Sequence, residues 1–316
     1  MHAAVVDDFR TPPAYREVTL PEPQEGQVPV DVVAAALHPR VRSQADGSHY
    51  TSTDALPLVP GVDGVGRDPE GVLRYFVLPG TAWGSMAERT LVDPARSAPL
   101  PDGVDPVVVA AAMNPAMSSW LALTRRVERT AGARVLVLGA TGSAGRLAVQ
   151  VAKRLGAAHV TAAGRNREEL ERLPALGADA VIALSDEPDA VRAGLAAAGR
   201  DLDVVLDYVW GGTTATALRA VVPARREDDR LLTWVQIGSV GGLESPIPSA
   251  ALRAMNLRLV GSGQGSVAPS DVVAELPAIA TEITTGGYDV RARAVPLRDV
   301  RAAWTASTDD RLVLVP

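Results

Sequence analysis

Cysteine is absent from the 316 residues, which excludes disulfides, thiolate metal sites, iron–sulfur clusters and cysteine nucleophiles. Lysine is nearly absent: of the 31 basic residues only Lys153 carries an amine. Pyridoxal-phosphate enzymes and Schiff-base aldolases depend on such an amine, and Lys153 sits mid-helix on the polar side of VQVAKRLGA, a poor place for one. Long apolar runs are missing too, because Arg, Pro or Gly interrupts each stretch before the roughly 18 residues that a bilayer helix needs. The opening MHAAVVDDFR has no basic segment followed by an apolar block, so no secretory signal is expected and the cytoplasm is the expected compartment. Positive charge is in deficit as well. A net charge of -6 and a pI of about 5.3 set an adverse field against nucleic acid, so neither a nucleic-acid nor a membrane partner is expected.

What is present is a chain rich enough in apolar residues, 47%, to bury one large or two medium cores. Residues 1 to about 115 carry proline, glycine and β-branched residues in short runs such as VPVDVVAAAL, GVLRYFVL and ERTLVD. Turn punctuation between them predicts a small barrel or sandwich. Between 134 and 262 the rhythm becomes apolar strand, glycine turn and helix: RVLVLGA, HVTAAG, DAVIAL, DVVLDYV, LLTWVQIG and LRLVGSG. That alternation predicts an α/β fold with a parallel sheet and crossover helices. The segment between, MSSWLALTRRVERT, is expected to be a continuous helix rather than a tether.

The strongest chemical signal lies where RVLVLG runs into ATGSAG and a helix. In that helix Ala144, Leu147, Ala148, Val151, Ala152 and Leu155 follow helical spacing. Gly142 and Gly145 match the second and third glycines of a dinucleotide fingerprint, with Ala140 in place of the first. Gly142 lets the backbone approach a pyrophosphate, Gly145 allows helix and strand to pack closely, and the helix N-terminus offers unpaired N–H groups. Ala140, Thr141, Gly142, Ser143, Ala144 and Gly145 are therefore cofactor candidates. A tight turn without a ligand is the alternative for such a motif alone, but its place at the first strand of a βαβ series favours the ligand.

About twenty residues further on, at the end of HVTAAG, an NAD-binding chain carries Asp or Glu for the ribose 2′-hydroxyl. Here Gly164, Arg165, Asn166 and Arg167 stand instead. A guanidinium there can pair with a 2′-phosphate, which predicts NADPH over NADH; solvated loop arginines are the alternative. Ligands of such sheets lie beyond the carboxyl ends of the strands, which adds Tyr208, Val209 and Trp210 after DVVLD, and Gly238 and Ser239 after LLTWVQI. Packing is an equal alternative for Tyr208 and Trp210.

Taken together, PLVPGVDGVG, VLVLGATGSAGRLAVQVAKRLGA, AAGRNREELERLPALGADAVIAL, DVVLDYVWG, PLRDVRAAW and RLVLVP resemble a medium-chain dehydrogenase/reductase of the zinc-independent quinone oxidoreductase type. The resemblance spans nearly the whole chain. It implies a GroES-like catalytic domain over 1–117, completed by 264–316, a Rossmann NADP(H) domain over 118–263, and a homodimer joined through LRLVGSG. It also places Asn114 and Ser118 near the nicotinamide. Where zinc-dependent relatives carry metal ligands, this chain has His38, Val62 and the pair Met113, Asn114. One imidazole and an amide do not make the three-ligand site of catalytic zinc, so no metal is expected. Short-chain dehydrogenases are excluded separately, since the residue four before Lys153 is Val149, not tyrosine.

Without a Lewis acid, reduction of a conjugated acceptor is easier than alcohol oxidation, because the substrate's own carbonyl takes up the charge. The expected activity is NADPH-dependent reduction of a quinone or α,β-unsaturated carbonyl. A carbonyl or imine reductase, or an NADPH-binding sensor without turnover, are the alternatives. LHPRVRSQADGSHY resembles a family segment whose tyrosine donates a proton, with one extra residue that puts His49 at the tyrosine position and Tyr50 just after. Tyr50 is the leading candidate for acid or carbonyl anchor, against an aromatic plug. His38 and His49 follow, with His38 alternatively a structural histidine. Asp63 resembles the family's acidic residue after PG and is expected to be a structural acceptor, with a catalytic role as the alternative.

Overall fold

The computed structural model describes all 316 residues. In chain order the elements begin with strands β1 (His2–Val5), β2 (Ala14–Glu17) and β3 (Val28–Ala36), then helix α1 (Pro39–Ala45). Strands β4 (Asp63–Arg67), β5 (Leu73–Val77), β6 (Arg89–Val92) and β7 (Ser97–Pro99) follow, and then helix α2 (Pro106–Leu121). The alternating part runs β8 (Arg134–Leu138), α3 (Ser143–Arg154), β9 (His159–Gly164), α4 (Arg167–Arg172), β10 (Ala180–Ala183) and α5 (Pro188–Gly199). It continues through β11 (Val204–Asp207), α6 (Gly211–Val221), β12 (Leu232–Gln236) and β13 (Leu257–Gly261). The tail holds α7 (Pro269–Thr285), β14 (Ala292–Pro296), α8 (Val300–Thr305) and β15 (Arg311–Val315).

Two units result, one of residues 1–114 with 269–316 and one of residues 115–268. They differ from the boundaries expected at 117/118 and 263/264 by a few residues at each crossing, because the first falls inside helix α2 and the second just before Pro269 opens α7.

In the first unit seven strands form one sheet in which β14, β15, β3, β4, β5 and β7 are neighbours in that order and β6 also pairs with β3. β1 and β2 form a separate antiparallel pair. The tail is built into this unit: β15 runs antiparallel to β3, with Val313 opposite Ala36. Two guanidiniums add bonds, Arg311 Nη1 donating to the Leu37 carbonyl at 3.1 Å and Arg42 Nη1 to the Trp304 carbonyl. Phe76, Met86, Val41, Val300 and Leu314 fill the core beneath.

In the second unit six parallel strands lie in the order β10-β9-β8-β11-β12-β13, so the strand order reverses between β8 and β11. β8 is central, and Val135 to Leu138 have no exposed surface. That is why its sequence is a continuous apolar run rather than an alternating one. Leu136, Leu138, Leu195, Leu206 and Trp234 share the core, and each such side chain contributes on the order of 1.5–3 kcal/mol by leaving water.

Helix α2 departs from expectation. It begins at Pro106, runs through Pro115, continues as a wider turn over 122–126, and leaves helical geometry at Val127. The expected helix over 116–130 is thus displaced toward the N-terminus. Pro115 interrupts the sequence but not the helix, so 106–126 is long and apolar enough to cross a membrane, yet 67% of its most apolar window is buried inside the protein, as in a core helix.

Candidate active site

The dinucleotide turn leaves β8 at Gly139, whose φ of +89° suits glycine. Gly139 and Ala140 both donate their N–H to the Ala163 carbonyl at 2.9 Å, which binds the turn to β9. A Cβ on Gly145 would lie 2.2 Å from the Gly139 carbonyl oxygen, so this glycine is required by helix-to-turn packing. Gly142 is different. Its φ of -83° is open to any residue, and a Cβ there would meet nothing nearer than the Gly139 carbonyl at 3.7 Å. The protein's own packing therefore gives no reason for glycine at 142. The first turn of α3 has unpaired N–H groups, no side-chain cap and no acidic residue, so a dinucleotide pyrophosphate fits there. Ala140 is buried, while Thr141, Ser143 and Ala144 are partly exposed.

At the end of β9 the four candidates separate. Gly164 is buried against Thr141, whose Cγ2 would be 2.4 Å from an added Cβ. Asn166 caps α4, accepting from the Glu169 N–H at 3.3 Å. Arg167 is ion-paired with Asp186. Arg165 is exposed and enters no ion pair, so it is the guanidinium that a 2′-phosphate can recruit without breaking an existing bond.

Beyond β11, Tyr208 is buried and its hydroxyl lies 3.0 Å from the Ser118 hydroxyl, which also donates to the Pro115 carbonyl. Burial pushes the Tyr208 phenol up to about 12, so it remains a protonated donor at neutral pH. Val209 covers Gly139, its Cγ2 being 3.0 Å from where a Cβ would stand. Trp210 is half-buried, Ser239 is exposed, and Gly238 lies against the Tyr208 backbone, where a Cβ would be 2.7 Å from the carbonyl oxygen. Asn114 is partly exposed one turn of α2 before Ser118.

In the first unit, His38 ends the strand-to-helix passage from β3 to α1 and is 2% exposed. Its Nε2 lies 2.9 Å from Asp63 Oδ1, and the Tyr75 hydroxyl donates to Asp63 Oδ2 at 2.6 Å. The β4–β5 register explains the second bond. Asp63 is opposite Val77, and Tyr75, two residues away, shares its face of the sheet. Burial, and then Asp63, push the Tyr75 phenol well above its usual range. His38 Nδ1 is buried and has no hydrogen-bond partner. Val62, beside Asp63, offers no ligand atom, and no group of three or more His, Cys, Asp or Glu side chains is arranged to hold a metal ion.

Tyr50 is 72% exposed and stacks on His49 with ring centroids 4.2 Å apart. Arg40 Nη2 donates to the Thr51 hydroxyl at 2.6 Å, and that hydroxyl lies 2.9 Å from His49 Nδ1. The Thr51 N–H also donates to Nδ1, at 3.2 Å. His49 is thus held as an acceptor, and burial, then the Arg40 charge, lower its pKa to about 4. A neutral imidazole is a poor proton donor, which leaves Tyr50 and His38 ahead of His49 for that task. Across the window between about 4 and the ordinary 6.5, the unfolded chain binds the His49 proton and the folded chain does not, so stability falls as pH falls. Thermal unfolding should show His49→Gln losing less Tm than the wild type between pH 7 and pH 5; equal losses would dismiss the role of this histidine.

Asp63 was legible as an acceptor, but Tyr75, Arg40 and Thr51 carry no sequence signal without the strand register and the loop conformation.

Residues 144–281 match the family described as zinc-binding dehydrogenase. A probable NADPH-dependent quinone reductase of Emericella nidulans is 31% identical over 361 aligned positions, covering 100% of both chains. The chloroplastic NADPH-dependent alkenal/one oxidoreductase of Arabidopsis thaliana is 33% identical over 186 residues, 54% of this chain and 48% of its own length. Among solved structures, the quinone oxidoreductase of Thermus thermophilus, determined also with NADPH, superposes with a TM-score of 0.79 at 27% identity over 100% of both chains. An alcohol dehydrogenase superfamily protein from Novosphingobium aromaticivorans shares the fold, with a TM-score of 0.83 at 23% identity over 100% of this chain and 99% of its own.

Proposed function

Because the chain belongs to the medium-chain dehydrogenase/reductase family, in its quinone oxidoreductase-like branch, we propose that it transfers hydride from NADPH to a quinone or an α,β-unsaturated carbonyl. The observation that carries this reading is Gly142, a glycine that nothing in the protein's own packing requires, standing at the uncapped start of α3. The names of the relatives support the same cofactor and acceptor class.

NADPH, when bound, supplies the hydride. The residues divide the remaining work. The turn Ala140–Gly145 holds the pyrophosphate, its N–H groups facing the phosphates. Arg165 takes the 2′-phosphate, with Gly164, Asn166 and Arg167 shaping the loop. Tyr208, Val209, Trp210, Gly238 and Ser239 bound the cofactor at the strand ends, and Asn114 and Ser118 approach the nicotinamide. A conjugated carbonyl takes up the developing charge itself, so orientation and one donor suffice; Tyr50 and His38 are the donors we assign, with His49 a neutral neighbour. The donor set at His38, Val62 and Asn114 does not fit catalytic zinc, so the reading is metal-independent.

The test is NADPH oxidation with 1,4-benzoquinone, 9,10-phenanthrenequinone and a simple enone, followed by product analysis. Saturated ketone from the enone supports the reading. Allylic alcohol would favour a carbonyl reductase, and tight binding without turnover a sensor. Arg165→Ala should raise KM for NADPH about tenfold or more while changing KM for NADH less than about twofold, the loss of a charge-assisted hydrogen bond; equal effects on both would remove Arg165 from the site. We further propose a homodimer through β13, the edge strand of its sheet, which sedimentation at micromolar concentration tests.

A further inference from the structure

Trp210 has φ +59° and ψ -161°, a backbone conformation occupied almost solely by glycine. It is the chain's only residue other than glycine with positive φ. Trp210 is only half-buried, whereas its neighbour Val209 packs against the hydrophobic core of the unit. What holds it there is Asp207. This side chain has no exposed surface and acts only as an acceptor. Its Oδ1 receives the N–H groups of Val209 and Trp210, both at 2.9 Å. Its Oδ2 receives the Thr214 hydroxyl at 2.5 Å and the Trp234 indole N–H at 2.9 Å. One oxygen therefore closes the turn after β11, and the other ties that turn to α6 and β12.

The turn so held is the one that covers the dinucleotide loop. Val209 Cγ2 and Tyr208 Cβ would lie 3.0 and 3.2 Å from a Cβ on Gly139, and the Gly241 N–H donates to the Val209 carbonyl at 2.7 Å. We infer that Asp207 is a positioning residue for NADPH: it clamps Trp210 in a glycine-only conformation and so fixes the backbone of 208–210 over the phosphate turn. The inference rests on the NADPH reading above.

Its test is a cycle of Asp207→Asn in three backgrounds, read as the NADPH dissociation constant by fluorescence. Asparagine has one acceptor oxygen for donors on two sides, so in the wild-type background affinity should fall about tenfold or more. Trp210→Gly adopts the same φ without a clamp, and there Asp207→Asn should cost less than about threefold. Trp210→Ala drops the ring but keeps a Cβ, and there the tenfold cost should persist. Thr214→Val, which touches only Oδ2, should lower Tm and leave NADPH affinity unchanged. Should Asp207→Asn fail to fold, Tm alone decides. Trp210→Gly should then exceed Trp210→Ala by about 2–4 °C, the reverse of the usual order of these residues. Equal costs of Asp207→Asn in the glycine and alanine backgrounds, or an alanine variant as stable as the glycine one, would overturn the clamp. A wild-type protein that binds no NADPH would instead overturn the cofactor reading, with the Tm comparison still standing.

Discussion

Gly142→Val should weaken NADPH binding about a hundredfold or more, while the protein folds and unfolds within a few degrees of the wild type. The reason is the contrast between two glycines three residues apart. At 142 the backbone has φ -83° and ψ 163°, which a β-branched residue adopts readily, and the space around it is open, the nearest atom to an added Cβ being 3.7 Å away. Valine would therefore sit in the space proposed for the pyrophosphate, at a cost to folding of about 1 kcal/mol for a poorer helix cap. At 145 the added Cβ would be 2.2 Å from the Gly139 carbonyl oxygen and 2.6 Å from the Ala140 Cα. Backbone on both sides cannot yield cheaply, so Gly145→Ala should cost about 3 kcal/mol or more of stability. Titration of NADPH against both variants, with thermal unfolding of each, gives the reading. Normal affinity in Gly142→Val would mean that the open space does not belong to the cofactor.

The two glycines also mark how far the sequence could be followed. Spacing alone gave the packing role of Gly145 and the expectation of a ligand at Gly142, because this turn is local: strand, turn and helix are consecutive, and their geometry depends on few other parts of the chain. The same locality made β8 through β13 readable from apolar runs and glycine turns. Where a property depends on partners distant in sequence, the pattern was silent. Arg165 and Arg167 look alike in GRNRE, and only the position of Asp186 separates a paired guanidinium from an unpaired one. Pro115 reads as an interruption, yet α2 passes through it. The carboxylate of Asp207 closes DVVLD as an unremarked polar residue, and its four donors come from its own turn, from α6 and from β12. Nothing in the letters gives the positive φ of Trp210. The sites missed are thus those where a buried acid collects donors across elements, a feature created by register rather than by composition.

The largest loss of stability should come from a second buried acid, one whose accepting role the sequence did suggest. Asp63→Ala removes the acceptor for two buried donors at once, the Tyr75 hydroxyl at 2.6 Å and His38 Nε2 at 2.9 Å. Neither can turn to solvent, since Tyr75 has no exposed surface and His38 is 2% exposed. Arg311, already lowered to about 10 mainly by burial, would lose the carboxylate that opposes that shift. Breaking one member out of a buried network of this kind costs about 3–5 kcal/mol, which lowers Tm by about 10 °C in a chain of this length. Tyr75→Phe, which deletes one donor and leaves the acid in place, should cost about 1–3 kcal/mol. In the double variant Asp63→Ala with Tyr75→Phe, the tyrosine hydroxyl no longer lacks a partner, so the combined loss should be smaller than the sum by about 1 kcal/mol. Urea unfolding of the four proteins measures each quantity. Strict additivity, or a loss below about 1 kcal/mol for Asp63→Ala, would show that the carboxylate does not hold the strand pair and the His38 turn together. The same carboxylate holds His38 by Nε2, which leaves the buried Nδ1 as the ring atom without a hydrogen-bond partner.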